Sequence, residues 1–285
     1  MNIKIKGKKA YFTGETVKPD IVFNCGQAFR FNEKNGVYFG VAYKKPLYVR
    51  EQDDGFCIYP TCGEDVDAIW KGYFAAEKDY CKIEQTLISD AVVKKALHDC
   101  EGMRLLVQEP FETVITFIIS ANNNIKRIKG IIENLCRLAG EPLSSGGDSC
   151  YAFPTPKALS KLTVQQLMAC GAGYRAEYIA QTSAAIANGF DLEALRMTGY
   201  QEARKELMTL KGIGPKVADC ILLFAYDRQE AFPRDVWIKR VLQKLYGFDP
   251  KDDSELLKFA VDHFGGYGGI AQQYLFHYAR TEKLL

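Results

Sequence analysis

From residue 1 to about residue 75, apolar and polar positions alternate in short runs. Segments such as "AYFTGE", "VYFGVAY", "PLYVRE" and "GFCIYP" are rich in Tyr, Phe and Val, with turn signals at Lys34-Asn35-Gly36 and Asp53-Asp54-Gly55 between them. A period of two with that composition predicts an antiparallel sheet. From about residue 83 the period lengthens to three or four. "EQTLISDAVVKKALHDC", "PFETVITFIISA", "IKGIIENLCRLAG", "TVQQLMACG", "RAEYIAQTSAAIANG" and "YQEARKELMTL" each read as an amphipathic helix. Short Gly, Pro and Ser stretches, notably "GEPLSSGGDS", separate the helices. The fold class is therefore α+β. An antiparallel sheet domain with flanking helices is expected over residues 1–105 and an all-helical region over residues 106–285.

Composition narrows the setting. The chain is 47% hydrophobic and 25% charged, ordinary for a soluble globular protein. No run approaches the roughly 18–20 apolar residues that a membrane helix needs. The start, "MNIKIKGKKAYF", alternates and lacks an apolar signal segment. A cytoplasmic protein is expected, nucleoid-associated if prokaryotic. The nine cysteines are odd in number and form no CxxC pair, which argues against a disulfide framework or zinc ribbon. Three scattered histidines argue against a histidine metal site. A net charge of +2 decides nothing by itself, because basic side chains gathered on one face suffice to bind nucleic acid.

The stretch "LKGIGPKVADC", Leu210 to Cys220, is the strongest local signal. One helix ends, a tight turn carries Gly212 and Gly214, and Pro215 suits the first turn of the next helix. The helix–hairpin–helix so predicted spans about residues 200–227. Such a turn lets backbone approach a phosphate, and the following helix N-terminus offers free amides. Lys216 stands at that junction, where a solvated charge, a phosphate anchor and a nucleophile are all open readings. Two neighbours favour the nucleophile. Cys220 shares its helix face at i+4, and Asp235 precedes a helix beginning near Val236. Asp235 is also well placed to be an ordinary N-cap.

"LKGIGPKVADC" followed by "FPRDV" resembles the helix–hairpin–helix, Gly/Pro, Asp motif of DNA base-excision glycosylases. "FNCGQAFRF", "SANNNIKRIKGIIENLC", "GAGYRAEYI" and "GGYGGIAQQYLFHYAR" narrow the resemblance to the eukaryotic-type 8-oxoguanine DNA glycosylase family, in order over nearly the full chain. The resemblance implies a bifunctional glycosylase and AP lyase acting on double-stranded DNA. Lys216 attacks C1′ to form a Schiff base, Asp235 assists, and β-elimination cuts the strand. It places Gly26, Cys220, Gln272 and Phe276 around the extruded base. Asn122, Arg127 and Arg175 go to the cytosine left behind, and Tyr174 to the wedge that refills the stack. Gly212 and Gly214 hold the DNA backbone.

Residue chemistry bears on each of these. 8-Oxoguanine differs from guanine mainly by a hydrogen on N7, which a fixed acceptor such as a glycine carbonyl can read. Taken singly, Gln272 and Phe276 are an ordinary polar-and-buried helix pair, Asn122 a turn residue and Tyr174 a surface aromatic. The family pattern often has histidine two residues after the aspartate, where this chain has Trp237. Many related glycosylases carry four cysteines for an iron–sulfur cluster after the motif. No cysteine follows Cys220 here, so no such cluster is expected; no cofactor is expected and the chemistry needs no metal, while a structural cation on the hairpin carbonyls stays open. A monomer with no membrane partner is expected. The alternatives are a related glycosylase with another base, or a non-catalytic DNA-binding module in which Lys126, Lys129, Arg175, Lys239 and Arg240 grip phosphate.

Overall fold

Alternation of inward and outward side chains draws the first part of the chain into one sheet. The computed structural model describes residues 1–144 and 149–284. Its strands are β1 (Asn2–Lys6), β2 (Lys9–Thr13), β3 (Asn32–Lys34), β4 (Val37–Ala42), β5 (Lys45–Gln52) and β6 (Gly55–Tyr59). All neighbours pair antiparallel, in the order β1-β2-β6-β5-β4-β3. The register sets Phe12 opposite Phe56, whose rings stack with centroids 4.8 Å apart. The short helical segment at 63–73 lays Trp70 and Phe74 over this face, closing one apolar core.

The hairpins follow two different logics. Between β3 and β4, Asn35 and Gly36 have φ of 54° and 74°, the mirror-image turn that matches strand twist. Between β4 and β5, Tyr43 and Lys44 adopt φ of 50° and 60° although neither is a turn former. Packing holds them there: the Tyr43 ring meets Tyr73 edge-on at 6.1 Å and its hydroxyl donates to the Val107 carbonyl at 3.3 Å.

The second core belongs to the helices. Ile83, Leu87, Val93 and Ala96, from helices Tyr80–Leu87 and Ala91–Asp99, join it rather than the sheet core. So do Cys25 and Phe29, which follow the short helix Pro19–Asn24. This loop therefore leaves the sheet layer and enters the helical one. Further helices run over Pro110–Ser120, Ile125–Ala139, Val164–Ala169, Arg175–Ala187, Tyr200–Leu207, Pro215–Tyr226, Val236–Tyr246, Asp253–Phe264 and Gly268–Thr281. The predicted separator "GEPLSSGGDS" straddles residues 145–148, which lie outside the described residues; its flanks pair as Pro142–Leu143 with Cys150–Tyr151. No helix among the described residues is long and apolar enough to cross a membrane.

Close approach explains the "GGI" at the start of the last helix. A Cβ on Gly269 would lie 2.4 Å from the Ala231 carbonyl oxygen and 2.6 Å from Leu223 Cδ1. Only a bare Cα lets this helix press against Pro215–Tyr226 and the segment before Asp235. The Gly269 amide seals the contact by donating to the Gln229 carbonyl at 2.8 Å.

Candidate active site

The two hairpin glycines serve different ends. Gly212 has φ +80°, and a Cβ there would lie 2.7 Å from Tyr178 Cβ, so the turn requires glycine. Thr182 fastens the same turn by donating from its hydroxyl to the Lys211 carbonyl at 2.7 Å. Gly214 is extended (φ −92°, ψ −178°), with open space where a Cβ would stand. It leaves the helix N-terminus uncovered, where free amides and the positive dipole end suit a phosphate.

Pro215 begins the next helix and Lys216 follows in its first turn, half-buried. The Lys216 Nζ lies 5.6 Å from the Phe117 ring centroid, so one side of the amine is walled by an aromatic face. Cys220 is buried, and burial pushes its thiol up to about 11. The charge of Lys216 and a hydrogen bond from it oppose that rise, while the Asp235 carboxylate adds to it. Lys216, Cys220 and Asp235 are therefore close enough to feel one another. Asp235 is indeed the N-cap of Val236–Tyr246: its Oδ1 accepts from the Ile238 amide at 2.9 Å. Its other oxygen takes no hydrogen bond among the described residues, so the cap leaves one carboxylate oxygen available.

Sequence reading passed over the residues that hold this corner. Asp219, fully buried, accepts from the Tyr200 hydroxyl and from Arg204 Nε, each at 2.7 Å. Its Oδ2 meets Arg234 Nη2 at 3.3 Å. Burial pushes the Asp219 carboxyl above its ordinary value, against the hydrogen bonds and charges of these donors. An aspartate inside an otherwise apolar helical run, "KVADCILLFAY", was the available signal.

The loop that crosses from the sheet layer forms the facing wall. Gly26 has φ +91°, and a Cβ on it would stand 3.7 Å from Phe276 Cε1. Neighbouring carbonyls are all engaged. Arg280 donates to the Asn24 oxygen, Gln273 Nε2 to the Cys25 oxygen at 2.6 Å, and Gln108 Nε2 to the Gln27 oxygen at 2.8 Å. The Gly26 carbonyl alone in this run has no partner among the described residues. Gln272, one helical turn before Phe276, is buried, and its Oε1 also lacks a hydrogen bond. Phe276 itself is half-exposed among buried neighbours.

A third group lies where Pro110–Ser120 turns into Ile125–Ala139. Asn122 is exposed at φ +49°, and Asn124 caps the second helix by accepting from the Arg127 amide at 2.9 Å. The exposed Arg127 guanidinium makes no hydrogen bond or ion pair among the described residues. Arg175 is the opposite: it is buried, with Nε on the Ala121 carbonyl at 2.9 Å and Nη2 on the carbonyls of Ala121 and Asn122, the latter at 2.9 Å. Its donors go to the turn that presents Asn122. Tyr174 is exposed, with the Arg175 guanidinium 4.3 Å from its ring centroid. Trp237 is half-exposed one residue beyond Val236, with Arg240 5.6 Å from its ring centroid.

Two family profiles cover most of the chain. Residues 10–114 match the 8-oxoguanine DNA glycosylase N-terminal domain, and residues 115–263 match the HhH-GPD superfamily base excision DNA repair protein. A probable N-glycosylase/DNA lyase of Methanothermobacter thermautotrophicus is 34% identical over 79% of this chain and 77% of its own length. An N-glycosylase/DNA lyase of Arabidopsis thaliana is 30% identical over 90% of this chain and 75% of its own. The solved 8-oxoguanine glycosylase/lyase of Clostridium acetobutylicum, in complex with double-stranded DNA containing cytosine opposite 8-oxoguanine, superposes with a TM-score of 0.94. It is 37% identical, with 99% of both chains covered.

Proposed function

The chain belongs to the 8-oxoguanine DNA glycosylase family of the HhH-GPD superfamily, and from that premise we propose that it excises 8-oxoguanine opposite cytosine through a Schiff base on Lys216 and then cuts the strand by β-elimination. It is an N-glycosylase/DNA lyase.

One observation carries the choice of base: two unpaired acceptors belong to residues that neighbour Phe276, Gly26 across the pocket and Gln272 one helical turn before it. The Gly26 carbonyl is unclaimed beside Phe276, and the Gln272 Oε1 is buried and unclaimed one helical turn away. The buried Gln272 Oε1 is costly without a partner and the partly buried Gly26 carbonyl is free to accept, so a ligand that donates to both is favoured. 8-Oxoguanine offers N7–H as one donor and the N1–H and N2–H of its Watson–Crick edge as others, while Phe276 stacks on its face. Guanine lacks the N7 hydrogen and leaves the glycine carbonyl unpaired.

The chemistry follows from the opposite wall. The Lys216 nitrogen attacks C1′ through its lone pair, and the base leaves with the electrons of its glycosidic bond and takes up the proton that the nitrogen sheds. Opening of the C1′–O4′ bond gives the iminium. Loss of a C2′ proton then expels the 3′ phosphate. The Asp235 oxygen not used by the cap is suited to stabilise positive charge as it develops on the sugar. The neutral Cys220 thiol presents a small, uncharged surface beside the amine.

Borohydride tests this directly. A covalent complex is expected on duplex DNA carrying 8-oxoguanine opposite cytosine, with none for Lys216→Gln and little on undamaged guanine. A trapped species that survives the substitution would exclude Lys216 as the nucleophile.

A further inference from the structure

Lys216 and Asp235 enter the site from segments of different character. Lys216 rides on the rigid helix Pro215–Tyr226, whereas Asp235 ends an irregular stretch over residues 227–235. The cap bond to Ile238 fixes Asp235 to its own following helix only. Packing of Phe232 on Phe264 and of Ala231 on Gly269 ties the stretch to the C-terminal helices. The stretch's backbone bond to the helix of Lys216 lies at its far end, where the Arg228 amide donates to the Leu222 carbonyl at 3.0 Å, so the spacing of amine and carboxylate needs a tie nearer Asp235.

We infer that Arg234 is a positioning residue, which holds Asp235 in register with Lys216 by ion-pairing the buried Asp219; the inference rests on the reading of Lys216 and Asp235 as the reacting pair. Asp219 lies three residues after Lys216, about one helical turn. Arg234 is bonded directly to Asp235. The Asp219–Arg234 contact at 3.3 Å thus ties the helix that carries Lys216 to the residue bonded to Asp235. Among the described residues, no other ion pair joins this helix to residues 227–235.

Both ends of the link are braced. Tyr200 and Arg204 occupy Asp219 Oδ1, so the carboxylate cannot swing. Arg234 Nη1 reaches the Asp253 carboxylate at 3.4 Å and its carbonyl oxygen at the same distance, at the start of Asp253–Phe264. The Arg234 side chain is only 4% exposed, and that of Asp219 not at all, so water does not soften the contact. A guanidinium suits the task because its planar fork reaches two carboxylates in fixed directions, which an ammonium does not do.

The test compares rate with affinity in the full chain. Arg234→Met is expected to slow single-turnover excision and borohydride trapping about 10- to 100-fold, as ångström-scale misplacement of a reacting group does. Binding of uncleavable duplex is expected to stay at wild-type strength, because no DNA-facing group changes. Arg234→Lys keeps the charge on one side and is expected to give an intermediate rate at unchanged affinity. Should the Met variant fail to fold, the Lys variant decides alone on the same two measurements. A folded Arg234→Met protein, or failing that a folded Lys variant, with wild-type excision overturns the inference. So does a parallel loss of rate and affinity, the mark of mere structural damage. If the wild-type chain gives no trapped complex at all, the Schiff-base reading itself has failed, a result distinct from any effect at Arg234.

Discussion

Gln273 Nε2 donates to the Cys25 carbonyl at 2.6 Å, and together with the bond from Arg280 to the Asn24 carbonyl it joins the two walls of the base pocket. The wall that carries Gly26 comes from the first part of the chain, and the wall with Gln272 and Phe276 comes from the last helix. Gln273→Met keeps the bulk and removes the donor. It is expected to lower stability by about 1–3 kcal/mol, the cost of an unsatisfied buried carbonyl. Excision of 8-oxoguanine should fall while cleavage at a preformed abasic site persists. Chemical denaturation and single-turnover kinetics on the two substrates check this. Equal losses on both would show that the bond serves the fold alone.

Gly26 has a sharper role. At φ +91° an alanine is strained by about 1–3 kcal/mol, and relief of that strain turns the carbonyl away from its present direction. The added methyl also meets Phe276 Cε1 at 3.7 Å, an ordinary contact, so the strain rather than a clash is what acts. Gly26→Ala is therefore expected to lose preference for 8-oxoguanine over guanine. Excision of both bases, measured side by side, is the readout, and an unchanged ratio would remove the Gly26 carbonyl from recognition.

Arg127 and Arg175 are expected to part company. Arg127 is exposed with a free guanidinium, so Arg127→Ala should flatten the preference for cytosine opposite the lesion without altering thermal stability. Arg175 is buried on the carbonyls of Ala121 and Asn122. Its truncation should cost about 2–3 kcal/mol of stability, since several charge-assisted bonds to part-buried carbonyls are lost together. It should also weaken opposite-base preference through release of the Asn122 turn. Thermal melting beside excision opposite each of the four bases separates the two cases.

Much of this was legible in the residues. The change of period near residue 80 gave the sheet and the helices, and "LKGIGPKVADC" gave the hairpin, because glycine and proline act locally. Legibility failed where the cause is tertiary. The Tyr43–Lys44 turn has no turn former, since contacts with Tyr73 and Val107 impose it. Asp219 and Arg234 lie 15 residues apart and meet only through folding. Arg175 is named by the motif, but that its buried guanidinium donates to the carbonyls of Ala121, Ala172 and Asn122 is a tertiary fact. The Gln272 and Gly26 acceptors could be named from sequence, yet that both stand unpaired is visible only once every neighbouring carbonyl has found a donor.

Two buried groups of opposite sign shape the pH dependence of stability. Burial pushes the Glu112 carboxyl up to about 7, against the pull of Arg30, whose Nη1 lies 3.5 Å away. Its folded value lies above the unfolded one, so its stabilising contribution is full below about pH 4.5 and is lost as pH rises through about 7. The full swing is on the order of 3 kcal/mol. His277 runs the other way: burial and the Arg280 charge push it down to about 4. The folded state resists its protonation, so its contribution is lost as pH falls from about 6.5 through about 4. In the wild-type chain the two slopes oppose each other over nearly the same range. Relative to wild type, Glu112→Gln should therefore gain stability as pH rises from 4.5 to 6.5. His277→Gln should lose it over the same range. Urea denaturation of the three proteins across that range measures both slopes, and two variants that track the wild type in parallel would show that neither group titrates with folding.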